Sequence, residues 1–365
     1  MKCPICGKDK IVSKVIGACR DCLLKIPSLL QNVMRKHNEI RSLYGFPSYP
    51  RRKGDIPCDV CANACVLKKE EIGVCGARKG GEGKVIPLSG VEAMVDWYKD
   101  PLPTNCVADW VCPGCSGSGY PRFALSPRGE IGYFNLAVFF GACSFNCLFC
   151  QNWHYRNLSY RRSVDELVKD IDERVTCICY FGGDPTPQIE FALRASEEAL
   201  KEAKGRILRI CWETNGSMGR DKLEEMAELS LKSGGCIKID IKAWSEEVYC
   251  ALTGTEARNR VFENFAYLTE YVRKRREPPF LIASTLLVPG YVDEEEVKGI
   301  ANFIASYDVN IPYALLAFYP CFQMNDLPTT SKQHAYRCLK VAKEAGLTRV
   351  RLGNIHLLSP NDYPL

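Results

Sequence analysis

The sequence predicts an α/β protein built on a partial (β/α)6 TIM-like barrel, preceded by a zinc-ribbon and cysteine-rich metal-binding modules. Three observations carry this. From Ile131 onward, short apolar runs at 136–140, 177–181, 207–212, 237–241, 281–288, 314–318 and 350–352 alternate with amphipathic segments, the pattern of parallel β/α units, six of which fit a partial barrel. Two of those segments open on N-terminal caps, Ser163-Val164-Asp165-Glu166 and Asp293-Glu294-Glu295-Glu296. Fourteen of the 21 cysteines lie before residue 151, in groups spaced by two or three residues, and eleven of them precede Ile131, which sets a metal-binding region ahead of the barrel.

At 365 residues the chain has room for one large domain and one or two small modules. Its 48 basic and 43 acidic residues are close to balance, which argues against a dominant nucleic-acid surface. No apolar run approaches the roughly 20 residues that span a bilayer. The start Met1-Lys2-Cys3-Pro4 has no apolar signal region. The expected location is cytoplasmic, without a membrane partner. In that reducing compartment the cysteines are read as metal and cluster ligands rather than disulfides.

Residues 1–30 contain Cys3-x2-Cys6 and Cys19-x2-Cys22, four thiolates that suit one zinc and would fold a segment too short to bury its own core. Residues 23–57, of which 31–57 separate the two cysteine modules, are expected to be one helix, with a stripe of Leu29, Leu30, Val33 and Met34, and then a proline-rich linker with the basic run Arg51-Arg52-Lys53. Residues 58–130 form a second cysteine module. Cys58, Cys61, Cys65 and Cys75 make one four-thiolate set, for zinc or an auxiliary [4Fe–4S] cluster. Cys106, Cys112 and Cys115 make a third set, either a further cluster that needs a ligand from elsewhere or structural thiols. The barrel is expected over 131–365.

The centre of the chain is Cys143-x3-Cys147-x2-Cys150, directly after the first apolar run. Three thiolates hold a [4Fe–4S] cube and leave its fourth iron without a protein ligand. A zinc site or an electron-transfer cluster is the alternative. The next strand ends open on Gly182-Gly183-Asp184, Glu213-Thr214-Asn215 and Asp240-Ile241-Lys242. In such barrels reactive groups sit at the C-terminal ends of the strands. Glycines there permit close backbone approach, and charges in a buried strand need partners or a ligand.

The cysteine spacing, with Phe149 before its last member, resembles the signature of the radical S-adenosylmethionine (radical SAM) superfamily. The strand-end motifs are similar to those of its pyruvate formate-lyase-activating-enzyme branch. The order of motifs over roughly residues 55 to 358 resembles the uncharacterised "AmmeMemoRadiSam system" proteins. The resemblance implies a radical SAM barrel that cleaves S-adenosylmethionine (SAM) at a [4Fe–4S] cluster to a 5′-deoxyadenosyl radical. It implies a SAM-binding role for Gly182, Gly183 and Asp184, a monovalent cation near Glu213, Thr214 and Asp240, and the SAM carboxylate near Lys242, with Asn215 in the same turn. A protein or peptide substrate and a one-electron donor such as ferredoxin or flavodoxin follow from it. The chain departs from that branch at two positions: Pro312-Tyr313-Ala314 stands where the branch has Pro-Tyr-His, and Ser284 stands where it has an arginine.

Two rival functions are weighed. Radical C-methylation of a protein residue would need a carrier such as cobalamin, and the chain has no Asp-x-His-x-x-Gly motif. A cluster- or zinc-bearing nucleic-acid-binding or scaffold protein has only the N-terminal knuckle in its favour. His154, His356 and Cys321 are weak candidates near the site. Cys177, Cys179, Cys211, Cys236 and Cys250 are read as small buried hydrophobes.

Overall fold

Seven parallel strands, rather than six, make the barrel wall. The computed structural model describes residues 2–50, 52–104 and 106–364; Arg51 of the basic run and Asn105 beside the third cysteine set lie outside them. The N-terminal part holds α1 (Arg20–Lys25), α2 (Pro27–Leu43), and two small antiparallel pairs. These pairs are β1 (Ile56–Pro57) with β2 (Val66–Leu67), and β3 (Arg78–Gly80) with β4 (Val85–Pro87). Next come β5 (Ala93–Pro101) and α3 (Pro113–Ser116). The barrel continues through β6 (Phe134–Phe140), β7 (Arg161–Arg162), α4 (Val164–Lys169), β8 (Val175–Phe181), α5 (Ile189–Glu202), β9 (Arg209–Thr214) and α6 (Arg220–Ser233). It ends with β10 (Ile237–Asp240), α7 (Glu246–Thr253), α8 (Arg258–Lys274), β11 (Leu281–Leu287), α9 (Glu294–Ala305), β12 (Tyr313–Ala317), α10 (Lys332–Glu344) and β13 (Val350–Gly353).

The sheet runs β13-β12-β11-β10-β9-β8-β6-β5-β7. From β6 to β13 its neighbours are parallel, whereas β5 lies antiparallel to β6 and β7 antiparallel to β5. All seven residues of β11 are buried, as expected of a parallel strand covered on both faces. β5 instead alternates buried Ala93, Val95 and Trp97 with half-buried Met94 and Asp96. It belongs to the barrel sheet, although it lies within the 58–130 segment. Ser163 forms the full capping box with Glu166, and Asp293 accepts hydrogen bonds from the backbone N–H of Glu295 and Glu296, so both predicted caps start helices.

The sheet does not close strand to strand. The loop 102–130 spans the remaining side, and Arg351 of β13 reaches Asp109 on it at 2.8 Å. At the N-terminal ends of the strands, the buried Arg209 on β9 holds Glu130 of the same loop at 2.7 Å. Arg209 also donates to the Phe123 carbonyl at 2.9 Å and to Thr176 Oγ1 at 2.8 Å.

No β-ribbon forms in the N-terminal segment: the Lys2–Asp9 bridge is the single strand-like pairing among its described residues. Ile11, Val12 and Ile16 are buried, so the intervening apolar residues pack inward instead of forming a hairpin. The Ser13 N–H donates to Tyr291 Oη at 3.0 Å, and that hydroxyl donates to the Ala18 carbonyl at 3.0 Å. A Cβ added at Gly290 would lie 2.6 Å from the Ile11 carbonyl oxygen, so this turn is glycine because the knuckle rests on it. Arg20 of α1 pairs at 3.0 Å with the fully buried Glu296, which also accepts from the backbone N–H groups of Trp244 and Ser245. The expected single helix is two: Pro27 restarts the chain as α2, which buries Val33, His37 and Ile40. Among the described residues no helix is long and apolar enough to cross a membrane.

Two buried histidines make the fold acid-sensitive. His37 Nε2 lies 3.0 Å from the Ala251 carbonyl, and His334 Nε2 lies 2.9 Å from that of Val292. Burial pushes both rings down to about 4. The unfolded rings titrate near 6.5, so the unfolded chain takes up protons first as pH falls. Their effect is therefore absent above about pH 6.5 and grows down to about pH 4, reaching about 3 kcal/mol of lost stability per histidine. Urea midpoints at pH 7.5, 5.5 and 4.5 are expected to fall progressively, and a flat series would refute the assignment.

Candidate functional site

The cysteine loop follows β6 because Gly141 ends the strand between Met94 and Leu158. A Cβ there would meet Leu158 O and Met94 Cβ, each at 3.0 Å. The loop is then pinned from α7: the N–H groups of Asn146 and Leu148 donate to the carbonyls of Thr253 and Leu252 at 2.8 and 3.0 Å. From the other side the Gln323 N–H donates to Leu148 O at 2.9 Å. Arg156 donates to Asn146 Oδ1 at 2.8 Å and stacks over Phe322. The Phe145 N–H points at Cys143 Sγ at 3.3 Å. Burial pushes all three thiols up, Cys147 to about 12, so metal must displace protons to bind them. Among the described residues, the four thiols of Cys3, Cys6, Cys19 and Cys22 are the one set whose ligand atoms all lie within 4.8 Å of one another. The thiols of Cys143, Cys147 and Cys150 do not form such a set, and ligands to separate irons of a cube need not converge in this way.

After β8, Gly182 and Gly183 both take positive φ (67° and 56°). A Cβ at Gly183 would lie 2.2 Å from Phe140 O and 2.5 Å from Ala142 O. Only glycine lets this turn lie on the cysteine loop. Asp184 is buried and accepts from the Thr186 N–H (2.9 Å), the Thr214 hydroxyl (2.9 Å) and the Asn215 N–H (2.8 Å). It ties the ends of β8 and β9 together. Asn215 in turn donates to Ser144 Oγ at 2.9 Å and approaches Cys143 Sγ at 3.8 Å.

The charges in the strands are paired. Glu213 meets Lys238 at 3.2 Å, and Asp240 meets Lys242. Burial alone would lower the Lys242 pKa, but Asp240 and the cluster thiols raise it, so Lys242 stays charged, with its ammonium 5.6 Å from the Phe149 ring centroid. Asp240 Oδ1 is buried and has no hydrogen-bond partner, so the site holds an acceptor without a donor. β10, β11 and β12 place Asp240, Ser284 and Ala314 side by side in register. Both departures from the activating-enzyme pattern thus stand in the same register row as Asp240.

One cavity of about 770 Å³ is lined by Cys143, Cys147, Cys150, Phe149, Gly182, Gly183, Asp184, Glu213, Thr214, Asn215, Asp240 and Lys242. It is also lined by Cys106, Cys179, Ala314 and His356. His154 lies outside it, stacked on Trp153 at 3.8 Å. Cys321 donates toward the Cys150 carbonyl at 3.6 Å.

The other cysteine sets divide by spacing. In the knuckle, Cys3–Cys22 and Cys6–Cys19 are 4.0 and 3.9 Å apart, close to the roughly 3.8 Å between sulfurs bound tetrahedrally at about 2.3 Å from one zinc. Cys58, Cys61, Cys65 and Cys75 do not converge in this way. Their module lies against the strand ends, where Asn63 donates to Ser144 O at 2.7 Å and Cys61 bridges to Met218. Of the cysteines read as small buried hydrophobes, Cys177, Cys211, Cys236 and Cys250 are buried and Cys179 is half-buried. Cys179, Cys211 and Cys236 gather with Cys106 and Cys112 in one cluster. Period-two counting inward from Glu213 and Asp240 reaches Cys211, Lys238 and Cys236, so the signal was present.

Residues 137–304 match the radical SAM superfamily. An uncharacterised protein of Methanocaldococcus jannaschii is 23% identical over 82% of this chain and 81% of its own length. A protein of the same organism, named provisionally as a glycyl-radical enzyme activating enzyme, is 28% identical over 48% of this chain and 64% of its own. A second so named is 27% identical over 50% and 72%. The crystal structure of a radical SAM methyltransferase from Sphaerobacter thermophilus aligns with 60% of this chain and 67% of its own, at 17% identity and a TM-score of 0.45. The cysteine loop and the three strand-end motifs all fall inside residues 137–304, the span that matches the radical SAM superfamily, and over about half its length the chain is similar to relatives named as glycyl-radical enzyme activating enzymes.

Proposed function

We propose that the protein reductively cleaves SAM at a [4Fe–4S] cluster held by Cys143, Cys147 and Cys150, and uses the resulting radical on a protein or peptide substrate. The observation that carries this reading is the single cavity onto which the three thiols, the double-glycine turn and the Asp240–Lys242 pair all open. Its volume of about 770 Å³ lies in the range of small-molecule sites. Cluster and SAM together supply a one-electron cleavage that yields methionine and a 5′-deoxyadenosyl radical.

The chain's own residues supply the rest. Gly182 and Gly183 present backbone groups without side-chain cover, Asp184 fixes their turn, and Lys242 offers a charged donor for a carboxylate. The unpaired Asp240 Oδ1, with Glu213 and Thr214 on the neighbouring strand, suits a monovalent cation. Ala314 lines the cavity where the activating-enzyme pattern has a histidine, which favours a substrate unlike theirs. The relatives named as activating enzymes support a protein substrate, and a ferredoxin- or flavodoxin-class donor would deliver the electron. The knuckle's sulfur spacing suits zinc, and the wider spacing of the 58–75 thiols favours an auxiliary cluster. Cys19→Ala is expected to lose the knuckle's zinc by metal analysis while keeping the iron of the barrel; unchanged zinc would refute that site.

The test is anaerobic reconstitution with iron and sulfide, reduction with dithionite in the presence of SAM, and quantification of 5′-deoxyadenosine. Methionine and 5′-deoxyadenosine are expected in equal amounts. A fully reconstituted protein that forms neither overturns the reading.

A further inference from the structure

A second group of thiols lies deeper in the barrel, independent of the SAM-site motifs. On the strand side are Cys179 of β8, Cys211 of β9 and Cys236, the residue before β10. On the loop side are Cys106 and the Cys112-Pro113-Gly114-Cys115 turn, a second Cys-Pro-x-Cys knuckle like Cys3-Pro4-Ile5-Cys6. Cys211 and Cys236 are 4.0 Å apart, sulfur to sulfur, and Cys112 packs into the same cluster. Between the two sides stands Lys238, 1% exposed, with its ammonium 3.1 Å from Cys106 Sγ, 3.6 Å from Cys179 Sγ and 3.2 Å from Glu213.

A core of small hydrophobes does not draw an ammonium into its midst, because burying that charge is costly unless anions surround it. Glu213 is one such anion and is itself partly exposed. Thiolates bound to metal would supply the others. No three of these sulfurs lie within 4.8 Å of one another, so they cannot meet at one ion as the zinc knuckle does. Thiolates that bind separate irons need no such convergence.

We propose that this is a second iron–sulfur site, set in the barrel beneath the SAM cavity and ligated jointly by loop thiols (Cys106, Cys112) and strand thiols (Cys179, Cys211, Cys236). Neither side alone offers four thiolates: the loop brings Cys106 and Cys112, and the strands complete the set. Cys106 and Cys179 line the cavity that also holds Cys143, Cys147 and Cys150, so the second site borders that cavity.

The test removes the SAM site first, so that its outcome is separate from the SAM reading. The full-length triple variant Cys143→Ala/Cys147→Ala/Cys150→Ala is reconstituted anaerobically with iron and sulfide. Iron, acid-labile sulfide and zinc are then measured, with circular dichroism as the check on folding. Adding Cys106→Ala/Cys112→Ala on the loop is expected to remove one cluster's iron and sulfide in equal amounts. Adding Cys211→Ala/Cys236→Ala on the strands is expected to remove the same increment, and combining the two pairs to remove no more than either alone. Cys58→Ala/Cys61→Ala is expected to leave that increment in place. Should the strand pair fail to fold, the loop pair, whose thiols are only half-buried, still decides. Unchanged iron and sulfide in the folded loop variant, or a loss of zinc in their place, overturns the proposal.

Discussion

Cys147→Ala, in the anaerobically reconstituted and reduced protein, is expected to bring 5′-deoxyadenosine formation down to the level of SAM without enzyme. Cys143→Ala and Cys150→Ala are expected to do the same. The loss is total because each thiolate holds a different iron, so two thiolates cannot retain the cube in a site built for three. Cys321 is not free to stand in as a ligand, because its thiol donates to the Cys150 carbonyl at 3.6 Å. Lys242→Ala separates cluster binding from SAM binding. It removes the charged donor beside Asp240 but no ligand, so iron content should persist while product formation falls and the SAM concentration needed for half-maximal rate rises. Iron analysis, circular dichroism and chromatographic product assay read these out together. Undiminished cleavage in any of the three cysteine variants would sink the assignment of the cluster.

The residues lining the cavity of Cys143, Cys147 and Cys150 were legible because their signals are local. Three cysteines within eight residues, two adjacent glycines at a strand end and an Asp-x-Lys pair each announce themselves without knowledge of their neighbours. The same holds for the caps at Ser163 and Asp293, where one side chain satisfies backbone donors three residues away. What stayed hidden is non-local. Nothing in residues 102–130 shows that the loop will span the open side of the barrel, because Asp109–Arg351 and Glu130–Arg209 join residues 242 and 79 positions apart. The Cys106–Cys112 set and the strand cysteines read as unrelated for the same reason: the loop that brings them together closes across the whole sheet. The seventh parallel strand was visible as an apolar run but surplus to a six-unit barrel, and only its pairing with β12 gives it a place. Likewise the alternating charges of β10 suggested a partner or ligand, but which partner each had was a question of cross-strand register. Lys238 stands opposite Glu213 on β9, whereas Asp240 pairs with Lys242 on its own segment.

Arg209→Met is expected to destabilise the protein by about 3–5 kcal/mol, since it leaves the Glu130 carboxylate buried with its charge uncompensated. Glu130 is fully buried and gives both oxygens to Arg209 at 2.7 Å, and Thr176 adds a third donor at 2.6 Å. Arg209 first loses by burial, and the hydrogen bonds and charge of Glu130 more than restore it, so its pKa ends above the usual value. The pair therefore stays ionised across the working pH range. Pairing the change with Glu130→Gln should recover part of the loss, because the double variant buries no lone charge. Denaturant melts of the two single variants and the double one give the coupling. An Arg209→Met protein as stable as the parent would mean that the loop does not depend on this ion pair. The effect should also reach the thiols above it. A Cβ at Gly114 would lie 3.1 Å from the Arg209 guanidinium, so the turn between Cys112 and Cys115 rests directly on that side chain. Loss of Arg209 should therefore loosen the loop knuckle before the rest of the barrel, seen as faster labelling of Cys112 and Cys115 than of Cys143 by a thiol reagent in the metal-free protein. Equal labelling rates would show instead that the loop is held from the Asp109–Arg351 side, where the same closure is made at the surface.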